Sequence, residues 1–194
     1  SVYPDFDRLL NVSVETIKIN EPLHIGMDFN VGKMAAIVHV LRAGDPHAVE
    51  EIVGVLDTPA MIAAIKRRFP NHSIFVYPDA SGGARKSENA SASDLSLLRD
   101  ARFNVLVNSS NPAVKDRVLA MNCMIFSNEK RRLRVNIDAC PAYVEALEKQ
   151  CYDKNGGPDK KSGLDHAVDA AGYMISYRYP VVRRTMQRVE IGGI

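Results

Sequence analysis

The chain is poor in the features that mark disulfide scaffolds, zinc proteins and membrane proteins. Its three cysteines are Cys123, Cys140 and Cys151, and no two of them form a C-x-x-C pair. An odd number of widely spaced cysteines argues against a disulfide framework or a zinc site and is typical of a reducing compartment. The sequence contains no run of about 18 apolar residues, the minimum for a membrane-spanning helix. It also shows no secretory signal peptide.

A strong charge of one sign is missing as well, and so are two common catalytic motifs. The formal net charge is +2, so any nucleic-acid surface must be a local patch. The sequence has no G-x-x-x-x-G-K-[ST], and we therefore expect no P-loop ATP hydrolysis from this chain alone. It has no G-x-S-x-G nucleophile elbow either. What is present is a length of 194 residues with 46% hydrophobic content, enough for one domain with a proper core.

Apolar runs and turn residues predict three strands, a helix, a strand, a helix, a strand and then helices. The first strands, over 23–30, 33–41 and 51–56, are joined by short turns and should form an antiparallel meander. A helix with Thr58 as N-cap leads to a strand at 74–77, which the helical crossover makes parallel to the first strand. The later elements are a helix at 93–102, a strand at 103–107, a helix from Asn111, a basic strand or arm at 131–137, a helix from Pro141 and a last helix at 164–179. This order predicts an α/β domain with a ribonuclease H-like mixed sheet flanked by helices.

The chain divides into three predicted regions. Residues 1–22 lack periodicity and are interpreted as an external leader or linker remnant. The domain itself covers 23–180, and 181–194 form a basic C-terminal tail. Because the first residue is Ser1 rather than Met, we interpret the chain as a processed or excised domain.

Three aspartates stand at the ends of predicted buried elements. Asp28 ends the first strand, Asp79 ends the run at 73–78, and Asp165 opens the last helix. In a ribonuclease H-like order these carboxylates would meet at one edge of the sheet, where they require cations. Oxygen ligands suit Mg²⁺ or Mn²⁺. Each acid also has a structural interpretation, because Asp28 and Asp79 could form Asx-turns and Asp165 could favour the helix dipole.

The last helix carries two further polar candidates. Asp169 lies one turn after Asp165 on the same face, which continues with the small residues Gly172 and Ser176 and could lie close against a sheet. Asp169 either assists a metal or forms a salt bridge. His166 either positions a water or phosphate or is a packed helix residue.

Basic residues lie in several short clusters, two of them in loops that flank Asp79 and Asp165. Such side chains could contact DNA phosphates, or they could be ordinary solvated charges. The candidates for DNA binding are Arg85, Lys86, Lys115, Arg117, Lys160 and Lys161.

Four segments of the chain form a recognisable series. They are, in this order, Ile25-Gly26-Met27-Asp28-Phe29-Asn30, Tyr77-Pro78-Asp79-Ala80-Ser81, Ser109-Ser110-Asn111-Pro112 with Lys115-Asp116-Arg117-Val118, and Gly163-Leu164-Asp165-His166-Ala167-Val168-Asp169-Ala170-Ala171-Gly172-Tyr173. Together they resemble the C-terminal nuclease domain of the large terminase subunit of tailed bacteriophages, particularly the headful-packaging kind. The most specific part is the Asp-His-x-x-Asp-Ala-x-x-Tyr pattern. Many relatives carry Arg where this chain has Gly172.

The resemblance implies a metal-dependent endonuclease that cuts double-stranded concatemeric viral DNA during genome packaging. It implies that Asp28, Asp79 and Asp165 bind two Mg²⁺ or Mn²⁺ ions, which in two-metal sites lie about 3.5–4 Å apart. The implied partners are double-stranded DNA, the terminase ATPase domain, the small terminase subunit and the portal protein, in the host cytoplasm. Two other functions stay open: a ribonuclease H-like junction resolvase or transposase, and a non-catalytic DNA-binding or portal-docking module.

Overall fold

A six-stranded mixed sheet forms the centre of the molecule in a computed structural model that describes residues 1–83 and 93–181. The strands are β1 (Leu23–Asp28), β2 (Met34–Arg42), β3 (Asp45–Val55), β4 (Ile74–Pro78), β5 (Asn104–Val105) and β6 (Arg134–Val135). They lie in the order β5-β4-β1-β2-β3-β6. The helices are α1 (Thr58–Arg68), α2 (Asp94–Asp100), α3 (Val114–Ile125), α4 (Pro141–Lys149) and α5 (Asp165–Arg178), and a short 3-10 helix covers Ala80–Gly83.

The sheet agrees with the prediction in its pairing and differs from it in the lengths of its strands. The antiparallel meander β1-β2-β3 and the parallel pairing of β4 with β1 are confirmed. The third strand starts earlier than predicted, at Asp45, while β5 and β6 have only two residues each. Edge strands are held by one neighbour only, so sequence patterns constrain their length least.

Two hydrophobic cores lie on opposite faces of this sheet. Alternation along β1 directs Leu23, Ile25 and Met27 into the core that α1 and α2 cover. The intervening positions His24, Gly26 and Asp28 therefore lie on the opposite face, where α3, α4 and α5 pack. An acid at the end of β1 is thus placed under the helix that begins with Asp165.

Helix α5 comes unusually close to β1, and a glycine of the strand makes the approach possible. A Cβ at Gly26 would lie 2.0 Å from the carbonyl oxygen of Ala170. The small residues of α5 were expected to lie against the sheet, but Gly172 instead faces the side chain of Arg117 on α3. The close approach therefore depends on the strand glycine.

The first thirteen residues are part of the domain, in contrast to the predicted external leader. Val2 and Tyr3 are buried in the same core as α3, α4 and α5. The fully buried Asn11 donates from Nδ2 to the carbonyl oxygens of Ile125 and Leu133, at 3.0 and 2.9 Å. Val12 forms a parallel bridge with Val135. A segment without periodicity can be buried in this way because its polar groups find specific partners.

Two details of the helices also differ from the expectations. Asp57, not Thr58, is the N-cap of α1, because its carboxylate accepts from the backbone N–H of Ala60 at 2.9 Å. Thr58 is buried and donates to Asp94 at 2.6 Å. Within the described ranges, no helix is both long and apolar enough to cross a membrane.

Candidate active site

The parallel pairing of β1 and β4 places Asp28 and Asp79 side by side. The register pairs Met27 with Pro78, and the backbone N–H of Asp79 continues the ladder by donating to the carbonyl oxygen of Met27 at 3.0 Å. Asp79 is two residues beyond Tyr77, which lies in the core on the α5 face. Both carboxylates therefore lie at the carboxyl ends of two neighbouring parallel strands, on the face of the sheet that α5 covers, as the sequence predicted.

Asp28 is the most perturbed acid of the site. Its side chain lies next to His166, whose Nδ1 is 3.2 Å from Asp28 Oδ2 and 3.2 Å from Asn30 Nδ2. Burial raises the pKa of Asp28 from 3.8 to about 6; the charges of Asp169 and Asp79 add to the rise, and the hydrogen bond with His166 opposes it. A carboxylate that is costly to ionise here gains from a cation.

Asp79 is half-buried and well supplied with donors. Its Oδ1 accepts from Asn111 Nδ2 at 2.6 Å and from the backbone N–H of Ser81 at 2.7 Å. Burial alone would raise its pKa, but the hydrogen bonds from Asn111, Ser81 and the Tyr173 hydroxyl outweigh burial and lower it. The ionised form of Asp79 is thus stabilised in one orientation, whereas the surroundings of the neighbouring Asp28 oppose its ionisation.

Asp165 begins α5 and is buried, with 5% of its surface exposed. Among the described residues its Oδ1 has no hydrogen-bond partner, and Nε2 of His166 lies 3.9 Å away. An unsatisfied buried carboxylate oxygen is costly unless a ligand completes it. The unpaired state of this oxygen among the described residues is consistent with a cation that binds oxygen ligands.

The structure does not show a finished metal cluster. Among the described residues, no group of three or more His, Cys, Asp or Glu side chains is arranged so that it could hold a metal ion. The sheet brings Asp28 and Asp79 together, and the start of α5 lies over the same face. Coordination of metal by Asp28, Asp79 and Asp165 therefore stays a prediction.

Asp169 and Arg117 form a pair that the sequence analysis did not foresee. Arg117 Nη2 lies 2.7 Å from Asp169 Oδ1, and only 6% and 15% of the two side chains are exposed. Of the two interpretations of Asp169, the structure shows the salt bridge. Arg117 was one candidate for a DNA contact or a solvated charge, but its burial and its bond to Asp169 fit neither role.

The other basic candidates occupy different places. Lys115, Lys160 and Lys161 are exposed, as a phosphate contact requires. Arg85 and Lys86 lie outside the described residues, as do residues 182–194 of the tail. In the basic stretch before β6, part of the charge serves the fold, because Arg131 donates to the carbonyl oxygen of Asp5 and to Asn11 Oδ1.

Three residues at the site were missed or assigned other roles from the sequence. Asn111 was interpreted as a helix start, yet α3 begins at Val114 and Asn111 bonds Asp79 instead. Tyr173 and Asn30 were noted only as parts of motifs. The available signal was the Asn-Pro pair, since a residue before proline is biased away from helical conformation.

Similar architecture occurs in solved structures of phage terminases. The large terminase of a thermophilic bacteriophage, solved in complex with ATP-γ-S, is 17% identical, with a TM-score of 0.70 over 91% of this chain and 45% of that chain. The P22 large terminase nuclease domain is 16% identical, with a TM-score of 0.65 over 92% of this chain and 93% of that one. The nuclease domain of the SPP1 large terminase, solved with bound Mn, is 17% identical, with a TM-score of 0.56 over 86% of this chain and 96% of that one.

At these identities the structural neighbours establish the fold, and the chain spans under half of the large terminase that was solved with ATP-γ-S. No curated protein sequence is significantly similar to the chain. The family model described as the terminase RNaseH-like domain matches residues 25–178, which include Asp28, Asp79 and Asp165. The predicted ribonuclease H-like fold and the resemblance to large-terminase nuclease domains are thereby confirmed: the chain belongs to the family of terminase RNase H-like domains.

Proposed function

We propose that the chain is a metal-dependent endonuclease that cuts double-stranded, concatemeric viral DNA during genome packaging. The observation that carries the proposal is the pairing of Asp28 and Asp79 at one sheet edge, beneath the helix that starts with Asp165, in a member of the terminase RNase H-like family. Ribonuclease H-like sites use acids in this arrangement. A purely structural role would not account for the buried Asp28, whose pKa is raised, or for the buried Asp165, whose Oδ1 has no hydrogen-bond partner in the described part of the chain.

The donor set fits Mg²⁺ or Mn²⁺, and the SPP1 neighbour was solved with Mn. Asp28, Asp79 and Asp165 would hold the metal, and they offer only carboxylate oxygens, which these ions prefer. When bound, two such ions would activate a water and neutralise the charge that develops on the phosphate and the leaving oxygen. We leave Asp169 out of the proposed ligand set, because its Oδ1 is bonded to Arg117.

The protein's own side chains orient the catalytic acids and contact the substrate. Asn111 and the Ser81 amide fix the orientation of Asp79, and the burial of Asp28 keeps water away from that acid. His166 lies against Asp28 with part of its ring exposed, where it can donate a hydrogen bond to a substrate phosphate. Lys115, Lys160 and Lys161 would contact the DNA backbone, which gives binding without sequence preference and with strong salt dependence.

The larger context is part of the same proposal. The large terminase solved with ATP-γ-S extends well beyond the part that matches this chain, and the family resemblance implies an ATPase domain, a small terminase subunit and a portal protein as partners. We assign Arg85, Lys86 and the basic tail to contacts with DNA or these partners. The place of action would be the cytoplasm of the infected host cell.

The test is cleavage of plasmid, linear duplex and branched DNA by the purified chain with Mn²⁺, Mg²⁺ or EDTA, beside Asp28→Asn and Asp79→Asn. We expect cleavage that requires metal and is abolished in both variants, with circular dichroism spectra like that of the wild type. Wild-type rates in either variant would refute the assigned site. Preference for branched over linear DNA would instead indicate a junction resolvase, and salt-sensitive DNA binding without cleavage under any ion would indicate a non-catalytic docking module.

A further inference from the structure

Arg117 is a buried cation that lies beside the candidate active site. Only 5% of Arg117 is exposed, although arginine has a long, charged side chain and the residue belongs to the surface helix α3. Lys115, two residues earlier on the same helix, is exposed. Burying a guanidinium is expensive, so a buried arginine requires strong and specific partners.

Arg117 has two partners on α5, both beside the acids. Its Nη2 bonds Asp169 at 2.7 Å, and its guanidinium carbon stands 4.7 Å from the centre of the Tyr173 ring. The attraction of Asp169 outweighs burial and raises the pKa of Arg117, so the cation is permanent. A planar guanidinium can stack on an aromatic ring and pair with a carboxylate at the same time, whereas an ammonium group cannot do both.

A glycine on α5 makes room for this arrangement. A Cβ at Gly172 would lie 2.8 Å from Cγ and 2.9 Å from Cδ of Arg117. The stem of the arginine therefore rests on the backbone of α5, between the two partners that its head group contacts. Any larger residue at position 172 would push the guanidinium away from Asp169 and Tyr173.

Each partner of Arg117 lies near one of the paired acids. Tyr173 lines the same small cavity as Pro78, Ala80 and Asn111, which surround Asp79. Asp169 directly precedes Ala170, whose carbonyl oxygen packs against Gly26, two residues before Asp28. We propose that Arg117 is a positioning residue of the active site, which rests on Gly172 and holds Tyr173 against Asp79 and Asp169 in place beside Asp28. This inference rests on the proposed nuclease function, because it assigns a role within the same site.

The kinetic test compares Arg117→Met with Lys115→Met in the purified chain on linear duplex DNA with saturating Mn²⁺. We expect Arg117→Met to lower kcat by tenfold or more with KM for DNA unchanged, since a displacement of about 1 Å can cost about a hundredfold. Lys115→Met should raise KM and reduce its salt dependence instead. A raised KM with unchanged kcat in Arg117→Met would show a DNA contact and overturn the proposal.

A second readout requires no cleavage. The double variant Arg117→Met/Asp169→Asn keeps the net charge and leaves no unpaired buried ion, so it should fold even where Arg117→Met does not. Metal binding raises Tm through mass action, and we expect the rise on adding Mn²⁺ to be smaller in the double variant than in the wild type. Tyr173→Phe, which keeps the ring but lacks the hydroxyl, should also show a smaller rise and a lower kcat.

The two proposals fail in different ways. A wild-type chain that does not cut DNA rejects the nuclease function, while the comparison of Tm shifts still tests the arginine. A double variant with the kcat and the Mn²⁺ shift of the wild type would show that Arg117 serves stability alone and would overturn the inference.

Discussion

Gly26 of β1 lies directly against the carbonyl oxygen of Ala170 in α5, with space for a hydrogen atom and none for a methyl group. A Cβ at this position would be 2.0 Å from the oxygen and 3.2 Å from Cβ of Met174. The obstacle is backbone, which cannot rotate away as a side chain would. The distance between the central strand and the helix that carries Asp165 is therefore set by this one glycine.

The first prediction is that Gly26→Ala destabilises the fold strongly. Overpacking in a core typically costs about 1–3 kcal/mol, and a clash with backbone should be at or above the upper end. Urea unfolding at equilibrium gives the free energy directly. Because the clash would push α5 off β1, surviving folded protein should also bind Mn²⁺ more weakly.

Gly157→Ala is the matched control. Of the described atoms, a Cβ there would approach only Asp153 Oδ1, at 4.0 Å, and the residue is not in the left-handed region. Its free energy of unfolding should stay within about 0.5 kcal/mol of the wild type. If Gly26→Ala and Gly157→Ala changed the free energy of unfolding equally, α5 would be able to move away from β1 without loss of stability.

The positions of the acids were predictable from the sequence because they follow from periodicity. Alternation in β1 and the crossover through α1 place Asp28 and Asp79 at one edge, whichever side chains fill the cores. The burial of Arg117 was not predictable in this way, because its partner Asp169 is 52 residues away in the sequence. A cluster of basic residues is also more typical of an exposed surface. Val2 and Tyr3 were missed for a related reason: two apolar residues have no period, and only the completed core shows where they are buried.

A second prediction concerns Asn111, which orients Asp79. Its Nδ2 donates to Asp79 Oδ1 at 2.6 Å, and its own Oδ1 accepts from the Ala80 backbone N–H at 2.8 Å. Asn111→Ala removes both bonds, so the pKa of Asp79 should rise and its side chain should lose its fixed orientation. We expect kcat to fall about tenfold and the Mn²⁺ concentration for half-maximal cleavage to increase.

Asn108→Ala provides the comparison, because Asn108 is exposed and lies before the same proline-containing segment. It should cleave at the wild-type rate. Should Asn111→Ala cleave as fast as Asn108→Ala, the orientation of Asp79 does not limit the reaction.

The third prediction tests the N-terminal segment through Asn11. This fully buried amide ties residues 1–13 to α3 and to the strand β6 region by donating to the carbonyl oxygens of Ile125 and Leu133. Asn11→Ala leaves both carbonyls without these donors and should cost about 1–3 kcal/mol. Asn71→Ala, in the exposed turn before β4, should change stability by less than about 0.5 kcal/mol. If residues 1–13 packed only loosely on the outside, Asn11→Ala and Asn71→Ala would have the same free energy of unfolding.

The fourth prediction is that Asp28→Asn stabilises the metal-free protein at neutral pH. The pKa of Asp28 is raised from 3.8 to about 6, chiefly by burial, with Asp169 and Asp79 adding to the rise and His166 opposing it. The folded state therefore binds the proton more tightly than the unfolded state. Below pH 3.8 Asp28 is protonated in both states and does not destabilise the fold. The destabilisation grows as pH rises to about 6, and above that it is complete, on the order of 2–3 kcal/mol of the free energy of unfolding.

In EDTA, Asp28→Asn should therefore be more stable than the wild type at about pH 7.5, and this advantage should shrink towards about pH 4 in urea unfolding experiments. Manganese should reverse the order at the higher pH, because only the wild type gains binding energy from the ionised carboxylate. An advantage that is the same at both pH values would mean that the ionisation of Asp28 is not its source. Loss of stability in EDTA at the higher pH would show that the contact of Asp28 with His166 stabilises the fold by more than its burial costs.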